Sequence, residues 1–87
     1  MKGSIDNMKF NIKLSTIKDV ENFTNYANGV NDEIYLKQGR YVVSGKSVMG
    51  ILSLSLLDEL ELIIDKPSDD FYEFFKNIKD MGVVITD

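Results

Sequence analysis

The hydrophobic pattern of this chain switches repeatedly between the period of a strand and the period of a helix, and this alternation most constrains the fold. Alternating polar and apolar residues predict four strands, at 9–14, 32–38, 41–44 and 60–64. Apolar residues three or four apart predict three helices, which begin at Ser15 or Thr16, at Ser47 and at Ser68. The order βαββαβα favours an α+β fold, with a four-stranded antiparallel sheet and three helices on one face.

Local signals mark the ends of these elements. Asn28-Gly29 is predicted to end the first helix in a left-handed conformation, and Gly82 to end the third. Val83–Thr86 is β-prone and predicts either an added C-terminal strand at the sheet edge or a tail folded over the core. Residues 1–8 are predicted to be a flexible N-terminal arm, and residues 9–87 a single domain.

Two helical stripes are predicted to fill the core. Both consist of apolar residues at helical spacing, namely Ile17, Val20, Phe23, Ala27 and Val30 in the first, and Phe71, Phe74, Phe75, Ile78 and Met81 in the third.

Composition excludes several classes of function. The 87 residues contain no histidine and no cysteine, so the commonest metal ligands and the commonest general base are missing, and neither a metal nor a cofactor is predicted. The net charge of −4 and the scattered basic residues argue against a nucleic-acid partner. No run approaches the roughly 20 apolar residues of a membrane span, and the N-terminus lacks a signal-peptide pattern. A cytoplasmic protein that is not an enzyme is the resulting expectation.

The stretch Lys46–Leu54 combines a helix start with apolar residues on more than one side. Ser47 is a favoured N-cap residue, because its hydroxyl can accept a hydrogen bond from a backbone N–H of the first turn. Met49 and Leu54 lie off the face formed by the other apolar residues, which are Val48, Ile51 and Leu52. Such a short helix is either deeply buried or a docking surface.

The run Gly45-Lys46-Ser47-Val48-Met49-Gly50-Ile51-Leu52-Ser53-Leu54, together with the element order, resembles HPr. HPr is the small phosphocarrier of the bacterial sugar phosphotransferase system. The resemblance spans roughly residues 9–82 and is strongest at 45–54. It implies an HPr-like open-faced β-sandwich, in which a histidine before the first helix carries a phosphoryl group from Enzyme I.

The segment that matches the HPr active-site loop departs from the family pattern. Thr16 occupies the position of the histidine, Lys18 that of the arginine and Asp19 that of the proline. A threonine hydroxyl needs an adjacent base before it acts as a nucleophile. The carrier function is therefore predicted to be absent, with no catalytic residue. Thr16 is interpreted first as a helix cap, and phosphorylation of Ser15 or Thr16 as the less favoured alternative.

The resemblance also implies a regulatory role for Ser47. Many HPr proteins carry a serine here that an ATP-dependent HPr kinase phosphorylates, and the product binds a transcriptional regulator. A catabolite-repression paralogue likewise lacks the histidine and keeps the serine. Val48, Met49 and Leu52 match an apolar patch that meets protein partners. The alternatives are that Ser47 is only a cap, that Val48 and Leu52 are core residues, and that the chain is a structural or homo-oligomerising domain, such as a homodimer joined through 83–86.

Overall fold

The structure, a computed structural model, describes residues 7–65 and 67–85. The strands are β1 (Asn7–Ile12), β2 (Ile34–Gln38), β3 (Tyr41–Ser44) and β4 (Leu60–Asp65). The helices are α1 (Ile17–Asn28), α2 (Val48–Leu52) and α3 (Asp70–Met81). The strands form one antiparallel sheet in the order β1-β4-β2-β3, with the helices on one face. The predicted α+β fold and its order βαββαβα are confirmed.

The sheet follows the alternation of the sequence, because successive side chains of a strand point to opposite faces. The pairing register places Leu36 of β2 beside Leu62 of β4, and Leu62 beside Phe10 of β1. Leu36 and Leu62 are fully buried in the hydrophobic core, where the helices cover them. On the other face Lys37 lies opposite Glu61, so this face carries polar and charged side chains.

Two sequence predictions at the N-terminal side need correction. β1 begins at Asn7, so Asn7 and Met8 are part of the sheet and do not belong to a flexible arm. Residues 1–6 of the predicted arm lie outside the described residues. β1 ends at Ile12, and Leu14 is buried without being in the strand. The strand begins earlier than expected because residues 7 and 8 pair with the end of β4.

Helix α1 begins where the capping pattern predicts. The Thr16 hydroxyl accepts a hydrogen bond from the Asp19 N–H at 3.0 Å. Ile17, predicted to be in the core, is exposed, because the first turn of α1 extends past the packed stripe that starts at Val20. Gly29 ends the helix with φ −83°, so the predicted left-handed conformation is wrong there. Its N–H instead closes the last turn on the Tyr26 carbonyl.

Helix α3 packs against both α1 and β1 through aromatic rings. Phe74 meets Phe23 of α1 edge-on, with ring centroids 5.5 Å apart, and Phe75 lies 4.6 Å from Phe10 of β1. The N-cap is Asp69 and not the predicted Ser68. Asp69 makes no side-chain capping bond, and the Ser68 hydroxyl accepts a hydrogen bond from the Asp70 N–H at 3.3 Å. The N–H and hydroxyl of Ser68 also donate to the Asp32 carboxylate, at 2.9 and 3.1 Å.

The end of α3 confirms the predicted stop, and the chain then returns to the sheet. Gly82 has φ 79°, the left-handed conformation that glycine adopts without steric cost. The Lys13 N–H donates to the Val83 carbonyl, and the Ile85 N–H donates to the Asn11 carbonyl. This segment forms an isolated bridge between Val84 and Ile12, with Val83 buried, and is not a full strand. Thr86 lies outside the described residues.

Candidate protein-binding surface

The entry to α2 is fixed by a close contact between the backbone after β3 and the start of β2. The Gly45 N–H donates to the Ile34 carbonyl at 2.7 Å. A Cβ atom on Gly45 would lie 2.6 Å from Ile34 Cγ2, well inside van der Waals contact. Glycine is therefore required at this position, and the contact sets where Lys46 and Ser47 stand.

Two further hydrogen bonds hold this entry against the end of α1. The Lys46 ammonium donates to the Val30 carbonyl at 2.5 Å, and the Asn28 side-chain amide donates to the Lys46 carbonyl at 3.2 Å. The start of α2 is thus tied to both the sheet and the first helix. A five-residue helix needs such ties, because isolated helices of this length are unstable in water.

Ser47 is the N-cap of α2, as predicted. Its backbone is extended, with φ −115° and ψ 112°, and its hydroxyl accepts a hydrogen bond from the Gly50 N–H at 3.0 Å. The Ile51 N–H donates to the Ser47 carbonyl at 3.1 Å, which starts the helical ladder. The side chain is half-buried. Its hydroxyl therefore combines a capping bond with partial access from solvent.

The apolar residues of α2 divide between core and surface. Ile51 is fully buried, and Val48 is half-buried and packs against the core. Met49 is 78% exposed and Leu52 is 37% exposed. Met49 and Leu52 therefore present apolar surface to solvent, whereas much of the Val48 side chain serves the core. Leu54, which lies off the predicted helical face, is buried.

Two exposed apolar residues near α2 were not singled out from the sequence. Leu57 is 84% exposed and Tyr41 is 67% exposed. The Gln38 side chain brings their two segments together, because its amide makes two hydrogen bonds of 2.8 Å with the backbone N–H and C=O of Ser55. Tyr41 is paired with Gln38 in the sheet, and Leu57 follows Ser55 by two residues. In the sequence, the double leucine Leu56-Leu57 before acidic residues was the only feature that could have indicated an exposed apolar residue here.

We use the name α2 surface for the exposed apolar residues Tyr41, Met49, Leu52 and Leu57. Methionine and tyrosine are common in protein interfaces, methionine because it adapts its shape and tyrosine because it joins an apolar ring to a polar tip. Clustered apolar side chains on a surface typically mark a site of protein interaction.

The start of α1 matches the HPr active-site loop in position but not in its residues. Ser15, Thr16 and Lys18 are exposed. The Thr16 hydroxyl caps the helix, and the Asp19 carboxylate accepts from the Ser15 N–H at 3.2 Å. The two side chains thus cap the helix in the reciprocal manner of a capping box, shifted by one residue. The predicted capping role of Thr16 is confirmed.

A shallow cavity of about 270 Å³ lies between α1 and α3. It contains none of the candidate site residues singled out from the sequence, which are Thr16, Lys18, Ser47, Val48, Met49 and Leu52. Its lining is mostly polar and consists of Asn25, Tyr26, Gly29, Val30, Asp70, Glu73, Phe74 and Asn77. Within residues 7–65 and 67–85, no three acidic, histidine or cysteine side chains are grouped so that they could hold a metal ion. Over the same residues, no helix is long and apolar enough to cross a membrane.

The architecture defines an HPr-fold protein, a four-stranded antiparallel sheet covered on one face by three helices. Among solved structures, HPr-C-His from Thermoanaerobacter tengcongensis is similar with a TM-score of 0.64 and 24% identity, over 88% of this chain and 90% of that one. The phosphocarrier protein HPr from Bacillus anthracis str. Ames is similar with a TM-score of 0.61 and 19% identity, over 82% and 90%. No protein-family model and no curated protein matches the sequence.

Proposed function

We propose that this protein is a cytoplasmic, non-carrier regulatory module with the HPr fold. It binds other proteins through the α2 surface, and phosphorylation of Ser47 controls that binding. The observation that carries the proposal is the exposed apolar α2 surface next to a serine with a half-buried hydroxyl, in a chain without histidine.

The chemistry of the chain supports the loss of the carrier role. Phosphoryl transfer through a side chain requires a nucleophile, and the histidine of HPr has no counterpart among the 87 residues. The Thr16 hydroxyl is engaged as the acceptor of the Asp19 N–H, and the Asp19 carboxylate is engaged as the acceptor of the Ser15 N–H. A threonine without a positioned base is a poor nucleophile. This supports a function by binding and not by group transfer.

The position of Ser47 supports a switch. A phosphoserine carries about −1.5 to −2 charges at pH 7 and three strong acceptor oxygens. At the cap of α2 these oxygens would keep an acceptor for the Gly50 N–H, so the helix would survive modification. Two residues away lies the exposed Met49 side chain. The charge would therefore change the edge of an apolar surface without unfolding the element that presents it.

Phosphorylation is tested by incubating the protein with an HPr-type kinase and ATP and mapping the product by mass spectrometry. We expect one phosphate, on Ser47. The matched control is Ser47→Asn, because asparagine caps helices about as well as serine but has no hydroxyl. A phosphate on another residue, or an unmodified protein beside a fully modified HPr control, would remove the proposed switch.

Binding through the α2 surface is tested by surface plasmon resonance with the same kinase immobilised. Met49→Glu places a charge in the apolar surface, and we expect the Kd to rise about tenfold or more. Tyr72→Glu is the matched control, since Tyr72 is a comparably exposed apolar side chain on α3. Equal affinities for the two variants would show that the α2 surface is not the contact.

The identity of the partner remains part of the proposal. An HPr-type kinase and a transcriptional regulator are the partners that the resemblance implies, and no nucleic acid or membrane is included. If a labelled phosphoryl group passed from Enzyme I to Thr16 in the presence of phosphoenolpyruvate, the chain would be a carrier and the proposal would be wrong.

The alternative is a structural or homo-oligomerising domain. In the monomer, Val83 bonds to the backbone of Lys13 and Ile85 to that of Asn11 in β1, so residues 83–85 already have a partner within their own chain. Light scattering of the full chain separates the alternatives, because a dimer whose mass does not change on dilution would favour self-assembly.

A further inference from the structure

The two edge strands of the sheet, β1 and β3, differ in what lies beside them. At the β1 edge, the segment after α3 bonds to Asn11 and Lys13 and covers part of the strand. At the other edge, within residues 7–65 and 67–85, β3 pairs with β2 on one side only. An edge strand presents backbone groups that can pair with another chain.

The hydrogen-bond pattern tells which backbone groups of β3 point outward. The bond from the Gly45 N–H to the Ile34 carbonyl identifies these two residues as a hydrogen-bonded pair. Such pairs alternate with non-bonded pairs along an antiparallel ladder. Val42 and Ser44 therefore belong to the non-bonded pairs with Lys37 and Tyr35. The N–H and C=O of Val42 and the N–H of Ser44 point away from the sheet.

The outer edge of β3 is also apolar and lacks negative charge. Val42 is 55% exposed, and Tyr41 is exposed beside it. The hairpin from residue 34 to residue 46 contains Lys37, Arg40 and Lys46 but no aspartate or glutamate, although the whole chain has 14 acidic and only 10 basic residues. Glu61 lies opposite Lys37, and the Lys46 ammonium is engaged with the Val30 carbonyl. The exposed positive charge at this edge therefore stands at Arg40, just before β3.

We propose that β3 is a docking edge for an extended, acidic segment of another protein, which adds a fifth strand to the sheet. Main-chain hydrogen bonds to Val42 and Ser44 would hold the segment, as in other strand-addition complexes. An acidic side chain of the segment would meet Arg40 at the start of the strand. This inference uses the backbone edge of β3 and does not depend on the proposed Ser47 switch, and Tyr41 borders both surfaces.

A second copy of this chain fits the edge less well. A two-fold antiparallel pair centred on Val42 would set Arg40 opposite Ser44 of the second copy. The Arg40 charge would then have no acidic side chain opposite it in that copy. The charge pattern therefore favours an acidic partner over self-pairing.

The test uses fluorescence polarisation with a labelled seven-residue peptide of alternating glutamate and valine. We expect saturable binding that weakens as salt is added, because the charges are exposed. The same peptide with lysine in place of glutamate should bind about tenfold more weakly or not at all. In 15N NMR spectra, the amides of Val42 and Ser44 should shift most on titration.

Two protein variants locate the site. Val42→Pro removes an outward N–H without removing a bond to β2, and edge strands tolerate proline at such positions. Arg40→Glu reverses the charge at one end of β3, and Lys76→Glu on α3 is its charge-matched control. We expect Val42→Pro and Arg40→Glu to lose binding of the glutamate peptide, and Lys76→Glu to keep it. If Val42→Pro is unfolded by circular dichroism, a peptide methylated at its backbone nitrogens replaces that variant.

Three results would overturn the proposal. One is equal binding of the glutamate and lysine peptides. Another is that Arg40→Glu binds the glutamate peptide as tightly as the wild type does, and that Val42→Pro also binds it unchanged or, where that variant is unfolded, the methylated peptide binds the wild type unchanged. The third is a dimer of the wild-type protein in sedimentation that Val42→Pro dissociates, since the edge would then be occupied by a second copy.

Discussion

At the scale of single residues, the candidate surface depends on positions whose side chains, or lack of them, fix the backbone. Gly45 lets the chain pass against Ile34, and Ser47 starts the helix that follows. Neither residue contributes much apolar surface. Both determine where the exposed Met49 side chain stands, because they set the position and direction of α2.

Gly45→Ala should destabilise the protein. Its Cβ would lie 2.6 Å from Ile34 Cγ2 and 3.3 Å from the Ile34 carbonyl, so the strand contact must shift. Overpacking of this kind costs about 1–3 kcal/mol in the free energy of unfolding, measured by urea denaturation. Gly29→Ala is the matched control, since its Cβ would be in ordinary contact and its φ is negative. Equal losses for both variants would contradict the steric argument.

Ser47→Ala should cost stability even if Ser47 is never modified. The substitution removes the acceptor for the Gly50 N–H, and loss of such a cap costs about 0.5–2 kcal/mol. Ser47→Asn should stay within about 0.5 kcal/mol of the wild type, because asparagine replaces the acceptor. Thermal unfolding of the three proteins checks this. An alanine variant as stable as the wild type would mean that the capping bond contributes nothing.

At the scale of elements, α2 and the loop after it are held by side chains from elsewhere in the chain. Lys46 and Asn28 tie the start of the helix to α1, and Gln38 ties residue 55 to β2. Helix α2 has only five residues and buries one of them completely, Ile51. The order of the α2 surface therefore depends on these hydrogen bonds.

Gln38→Ala should loosen the loop that carries Leu57. The variant loses both hydrogen bonds to Ser55, each worth about 0.5–1.5 kcal/mol net. We expect faster amide hydrogen exchange at Ser55 and unchanged exchange at Leu62 in the centre of β4. If the Ser55 amide keeps its protection, other contacts hold the loop and the role given to Gln38 is wrong.

At the scale of the whole molecule, the two edge strands of the sheet differ in their pairing. The segment after α3 returns to β1 and brings Val83 into the core, whereas β3 has strand pairing on one side only in the described part of the chain. Because this C-terminal segment bonds to the first strand, it joins the two ends of the described chain. The covered edge contributes to stability, and the proposed docking uses β3.

Removal of residues 83–87 should test this difference. The truncated protein loses the buried Val83 side chain, worth about 1.5–3 kcal/mol, together with one hydrogen bond to Asn11 of β1 and one to Lys13 just after it. Urea denaturation should show a drop of at least about 2 kcal/mol. Val83→Ala, which keeps the backbone bonds, should show a smaller drop. A truncated protein of unchanged stability would show that the returning segment does not contribute to the core.

Much of the fold could be read from the sequence, because its signals are local. The alternation around Leu62 and the helical spacing around Phe74 each lie within a few residues. The caps at Thr16 and Ser47 were predicted for the same reason, since the acceptor and its N–H are three residues apart. The returning segment at Val83 was left open, because its partner, β1, is some seventy residues away.

The candidate site was predicted less completely. Met49 was singled out correctly as an exposed residue, whereas Val48 proved to be half-buried against the core. Ile17 was expected inside and is exposed, and Leu57 and Tyr41 were missed. Exposure depends on what packs over a side chain, and for these residues that neighbour comes from a distant part of the chain.

By itself, the sequence determined the order of the elements, the capping residues of α1 and α2 and the absence of an imidazole, because each follows from residue type and short spacing. The tertiary structure decided which apolar side chains face solvent, why residue 45 is glycine and which edge of the sheet carries unpaired strand. Those outcomes depend on contacts such as Gly45 with Ile34 and Gln38 with Ser55. Only folding brings those residues together, so no local pattern could reveal them.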